Sequence, residues 1–184
     1  MQARDNGLGF SPITIVLHWA AAFVVVSLAL LQLAISNASD APPLAELKQL
    51  RNTFGLLLAL MSCYRFWARL TSFHPLPVGT PNPVELIVSR VVAASLTLAC
   101  VLLPIAAWLS MSASGEAVEL LGGYRLPAPL AQDTGVRRAL DILFVIGMAP
   151  FAGGLALHVF GACKAHFILK NDSLRRMLGK HVEL

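Results

Sequence analysis

Four long apolar runs dominate this chain, at about residues 13–35, 47–70, 84–111 and 140–169. A bilayer core takes about 20 apolar residues in helical conformation. In lipid a helix satisfies its backbone polar groups internally, which an irregular segment cannot do. The runs therefore predict an all-α membrane protein, a four-transmembrane-helix bundle that uses residues 1–184 as a single membrane domain. Composition agrees: with 57% hydrophobic and 13% charged residues and a mean hydropathy of +0.70, the chain has too little polar surface for a water-soluble fold of its length.

The segments between the runs read as connectors. "SNASDAPP" closes the first run with helix breakers, and "SFHPLPVGTPNP" is a proline-rich loop between the second and third. "SASGEAVELLGGYRLPAPLAQDTG" is the longest connector and predicts a cap at the membrane surface with one short helix. Arg65, Arg69 and Arg90 flank the second connector, and Lys164, Lys170, Arg175, Arg176 and Lys180 follow the fourth run. Lys and Arg accumulate on the cytoplasmic side, which places both termini in the cytoplasm and the first and third connectors outside. The first ten residues hold Arg4 and Asp5, and the apolar run behind them is too long for a cleavable signal. The net charge of +4 comes without a long basic run or interleaved aromatics, so no nucleic-acid partner is expected. Cys63, Cys100 and Cys163 lie singly inside apolar runs and read as small buried hydrophobes, with neither a haem-attachment nor a zinc spacing. No Ser-His-Asp arrangement or phosphate-binding glycine loop is present.

An ionisable residue inside a membrane span is a functional candidate by default. His18 lies about 9 Å inside the first run and His158 about 15 Å inside the fourth, counted from the same face at the helical rise. These depths agree within the uncertainty of helix ends. Two neutral imidazoles at one level can approach a planar cofactor from opposite faces, the arrangement of a bis-histidine haem b in a helical bundle. Ala20, Ala21 and Ala22 beside His18, and Gly153, Gly154, Gly161 and Ala162 around His158, leave room for one. Two alternatives stay open: each imidazole donates to a carbonyl of a neighbouring helix, or the pair carries protons in a small transporter. His166, near the end of the fourth run, reads first as an interfacial side chain and second as a contact for a haem propionate or a quinone oxygen. His74 in the proline loop and His181 in the tail read as solvated.

"LHWAAAF", "GLLLALMSCYRFWARL", "LLPIAAWLSMSASG" and "LALHVFGACKAHFILKNDSLRRMLG", in this order, resemble the bacterial cytochrome b561 family over about residues 10–180. That family comprises four-helix, quinone-linked haem b proteins related to the b-type subunits of membrane hydrogenases and formate dehydrogenases. The resemblance implies an inner haem whose iron is ligated axially by His18 and His158. It also implies an outer haem, whose ligand positions fall here on Arg51, four before Gly55, and on Phe144, fourteen before His158. A further histidine frequent early in the third helix is replaced by Ala93. A guanidinium stays protonated and offers no lone pair, and phenylalanine has no donor atom.

The expectation is therefore one haem b on the cytoplasmic side, with Phe144 filling part of the vacated outer space, because a large empty cavity is costly. Pro150 is expected to kink the fourth helix. One haem cannot bridge a core of about 30 Å, so electrons would pass between a quinone pool, ubiquinone for example, and a redox partner near the cytoplasmic leaflet of a bacterial inner membrane. Any turnover would draw on the haem and a quinone, tuned by the protein. The alternative is a haem-free structural subunit of a larger respiratory or dehydrogenase complex.

Overall fold

The computed structural model of the chain describes residues 5–6, 9–38, 41–72, 76–77 and 82–180. The described residues are helical, joined by loops, with one isolated bridge between Glu119 and Arg125 and no strand. Four long helices run in order: α1 (Pro12–Asn37), α2 (Ala41–Thr71), α3 (Pro83–Ala113) and α4 (Thr134–Cys163). A 3₁₀ turn (Leu121–Gly123) lies in the long connector, a π turn (Lys164–Ile168) continues α4, and a short helix α5 (Ser173–Met177) follows.

The helix starts are written in the sequence. Ser11 Oγ accepts the amide of Thr14 at 3.2 Å, and Pro12 occupies the first helical position, where its missing N–H is not needed. Asn82 and Pro83 repeat this arrangement at α3, with Asn82 Oδ1 accepting the Val84 amide at 2.9 Å. Asp133 caps α4 through Gly135 N and Val136 N at 2.8 and 2.9 Å. Gly115, at φ +79°, takes the left-handed conformation just past α3 that a side chain would resist. Pro104 and Pro150 sit inside α3 and α4, and each helix continues past its proline. Each removes one backbone bond, and neighbouring helices in a membrane make that tolerable.

Three helical segments are long and apolar enough to cross a membrane: Pro12–Asn37, Pro83–Ala113 and Thr134–Ile168. α2 is equally long but carries Glu46, Lys48, Arg51, Arg65 and Arg69, and falls outside that set. Phe23, Val145 and Phe160 are 67, 68 and 64% exposed. Shielding each such side chain from water is worth about 1.5–3 kcal/mol, so these outward faces have lipid as their solvent. Cys100 is buried as expected, whereas Cys63 and Cys163 point outward; a thiol is apolar enough to face acyl chains.

The chain forms two compact units, and each long helix contributes one segment to each. Unit 1 comprises Met1–Ala20, Cys63–Ala99 and Ala149–Leu184; unit 2 comprises Ala21–Ser62 and Cys100–Met148. Unit 2 buries Val24 and Leu58 together with small residues, among them Ala21, Ala59, Ser62, Cys100 and Ser112, and small residues let membrane helices approach closely. Its long connector is sewn to α2: Asn52 Nδ2 donates to Glu119 O at 3.0 Å, Leu121 N to Thr53 Oγ1 at 2.9 Å, and Gln49 Nε2 to Glu119 Oε2 at 3.3 Å. Ser112 and Leu130 exchange bonds of 3.1 and 2.9 Å, and Trp108 Nε1 donates to Pro127 O at 3.1 Å. In unit 1, α5 is tied to α1 by a bond from Trp19 Nε1 to Met177 O at 2.9 Å.

Candidate functional site: a facing histidine pair

His18 and His158 come together within unit 1. Their ring centres lie 6.0 Å apart with the planes at 61°, and both residues are half-buried. His18 is 140 positions from His158 in the chain, so only the antiparallel return of the helices can create this approach. Trp19 stands edge-on to His18 with a centre separation of 5.4 Å. Its bond to Met177 fixes the first turns of α1 against α5.

The spacing is informative. An imidazole nitrogen sits about 2.0 Å from a first-row metal, and the ring centre ~1.1 Å farther back, so trans ligands have ring centres about 6 Å apart. The pair stands at that separation. The donor set points the same way. Among the described residues no cluster of three or more His, Cys, Asp or Glu side chains gathers for a metal. A bare ion such as zinc wants about four ligands, whereas a macrocycle-bound iron needs only axial ones. The two imidazoles therefore fit an iron porphyrin and do not fit a free metal ion.

Arg65 is a member of the site that its place in the sequence disguised. Its Nη2 lies 3.3 Å from His18 Nδ1. Near the end of an apolar run it reads as an orientation charge, yet a cation about five residues inside a span already qualified as a functional candidate. A guanidinium only donates, so in this contact Nδ1 accepts and the neutral ring carries its proton on Nε2. Were Nε2 to hold a metal, it would need that nitrogen's lone pair, so His18 would carry its proton on Nδ1 and lose the bond from Arg65.

His166 sits on the π turn, half-buried, with its ring against Phe167 at 4.9 Å and 74°. A π turn winds fewer degrees per residue than an α turn, which rotates His166 back toward the stripe of α4 that carries His158. This turn had no visible signal in "KAHFI". Neighbouring Lys164 is held by Glu85 at 2.8 Å. His74 and His181 lie outside the described residues.

The lost-ligand positions belong to unit 2. Arg51 is half-buried and donates to Gln32 Oε1 at 3.3 Å and to Asn52 Oδ1 at 3.2 Å. Its guanidinium is thus engaged by two side-chain amides. Phe144 is half-buried on α4.

The family model for prokaryotic cytochrome b561 matches residues 9–180. Cytochrome b561 homolog 2 of Escherichia coli (strain K12) is 28% identical over 190 residues, spanning 93% of this chain and 92% of that protein. With a match along nearly its whole length and three helices fit to cross a bilayer, this chain belongs to the prokaryotic cytochrome b561 family, multi-pass membrane proteins that bind haem b and transfer electrons.

Proposed function

We propose that this protein carries electrons between a quinone pool and a redox partner through a single haem b, with His18 and His158 as its axial ligands. The observation that carries this reading is the pair itself: two imidazoles facing one another at 6.0 Å in a half of the molecule that buries no apolar side chain among its described residues. A porphyrin would supply apolar contact there that side chains do not. Bound haem supplies a one-electron iron couple. His18 and His158 orient that iron, Trp19 and its bond to Met177 hold the His18 backbone in place, and Arg65 adds positive charge beside the ligands.

The same reading makes α2 the fourth span. Its 31 residues reach about 46 Å, longer than the bilayer core. Both termini then lie in the cytoplasm of a bacterium, as the Lys and Arg of the tail favour, and the haem lies near the cytoplasmic leaflet, within reach of ubiquinone. His166, near the end of α4, is placed to contact a quinone oxygen at that level. Arg51 and Phe144 leave the other half without ligands for a second haem.

The bond from Arg65 to His18 Nδ1 favours one competing reading, a haem-free subunit of a larger respiratory or dehydrogenase complex, because it satisfies His18 without a metal. Pyridine haemochrome assay of the purified full chain decides between them. The expected content is about one haem per chain with a low-spin reduced-minus-oxidised spectrum, abolished in both His18→Ala and His158→Ala. Colourless protein, or normal haem content in both variants, overturns the proposal.

A further inference from the structure

Arg176 is a buried cation whose bonds do not add up. It lies in α5 and is only 7% exposed. Its Nη1 donates to Leu76 O at 2.6 Å. Its Nε and Nη2 are buried and have no hydrogen-bond partner among the described residues. A guanidinium carries five donors, and leaving buried ones unmet costs about 1–3 kcal/mol each, more for a charged group. An unpaired buried charge is among the most destabilising features a fold can retain.

Three carboxylates of the same unit, all among the described residues, have partners of their own. Asp5 accepts the Ser11 amide at 2.7 Å, Glu85 pairs with Lys164 at 2.8 Å, and Asp172 pairs with Arg175 at 3.3 Å. Arg176 is therefore arranged for an oxyanion that the described residues do not provide. A guanidinium matches a carboxylate through two parallel donors, and Nε with Nη2 is such a fork. Burial separates Arg176 from its neighbour Arg175, which is exposed and resembles an ordinary interfacial cation.

Position indicates where the oxyanion comes from. Arg176 directly precedes Met177, whose carbonyl holds Trp19, and Trp19 directly follows His18. Beyond it, a Cβ on Gly179 would stand 3.9 Å from Ile15 Cδ1 on the preceding turn of α1. The guanidinium is thus fixed beside the helix turns that carry one axial histidine. A lipid phosphate approaches from outside and suits an exposed cation, whereas a buried one is reached from the interior of the unit. We propose that Arg176 binds a propionate carboxylate of the haem held between His18 and His158. This rests on the haem assignment above and assigns Arg176 a part in binding that the positive-inside pattern of the tail does not.

The test uses full-length protein in lipid nanodiscs, with Arg176→Gln and Arg176→Lys compared with wild type. Removing the cation leaves a propionate negative charge uncompensated near the iron. The midpoint potential of Arg176→Gln should fall and become pH-dependent near neutrality, and haem should pass to apomyoglobin several-fold faster. Arg176→Lys should restore the potential in part, since it keeps the charge and loses the fork. Reconstitution with haem b dimethyl ester, which has no carboxylate, should erase the difference between wild type and Arg176→Gln. A difference that persists with the ester, or that follows the content of anionic lipid, assigns the cation to another oxyanion and overturns the proposal. Wild type that binds haem, with Arg176→Gln matching it in potential and retention, overturns it while leaving the histidine assignment intact. Wild type that takes up no haem overturns both.

Discussion

The unit that holds His18 and His158 buries only Ser11, Thr97 and Arg176 among its described residues, whereas the other unit buries Ala21, Val24, Leu58, Ala59, Cys100, Ala113 and Val118 beside Ser62, Ser110 and Ser112. The same four helices supply both. In unit 2 small side chains let the helices pack on each other, and Asn52, Thr53 and Gln49 fasten the long connector to α2. Arg51 of this unit donates to Gln32 and Asn52. Unit 1 has the opposite character: a pair of imidazoles, a cation against one of them, and a buried guanidinium with donors unmet. Unit 2 has an apolar interior of its own, in which Ser62 Oγ is buried without a hydrogen-bond partner among the described residues. Under the proposed haem binding, the unmet donors of unit 1 would gain an anionic partner.

This contrast can be broken most directly by putting histidines back. Arg51→His combined with Phe144→His should raise haem content from about one toward two per chain, read by pyridine haemochrome, if missing ligands alone closed the far half. Content that stays at one would show that packing has closed it as well. A smaller effect is expected from Arg65→Gln. A unit positive charge about 7 Å from a haem iron would, at an effective dielectric near 20, favour the reduced state by about 2.4 kcal/mol. Its removal should lower the midpoint potential by up to about 100 mV, with the low-spin spectrum retained. An unchanged potential would mean that another group already neutralises Arg65. The smallest effect lies in unit 2. Asn52→Ala removes the bonds to Glu119 O and from Arg51, costing about 1–2 kcal/mol. Thermal unfolding should drop by a few degrees while haem content and spectrum stay as in wild type; a change in the spectrum would show that the two halves are coupled.

Much of this protein was legible in its residues. Apolar runs of about 20 residues dictated membrane helices, because a helix satisfies its backbone polar groups within one segment in lipid, whereas barrel strands are shorter and alternate in polarity. Ser11-Pro12, Asn82-Pro83 and Asp133 marked helix starts through local chemistry that needs no tertiary partner. His18 and His158 stood out because an imidazole in a greasy span is costly enough to demand a reason, and Arg51 and Phe144 excluded themselves as ligands by their atoms alone. Other features depended on distance in space. That the two histidines face each other at 6.0 Å, that Arg65 reaches His18, and that Arg176 is buried when Arg175 is not are properties of helices packed side by side. Sequence spacing reports which face of one helix a residue occupies; what that face meets is set by the packing of helices many residues away. The π turn at Lys164–Ile168 was likewise not legible in "KAHFI".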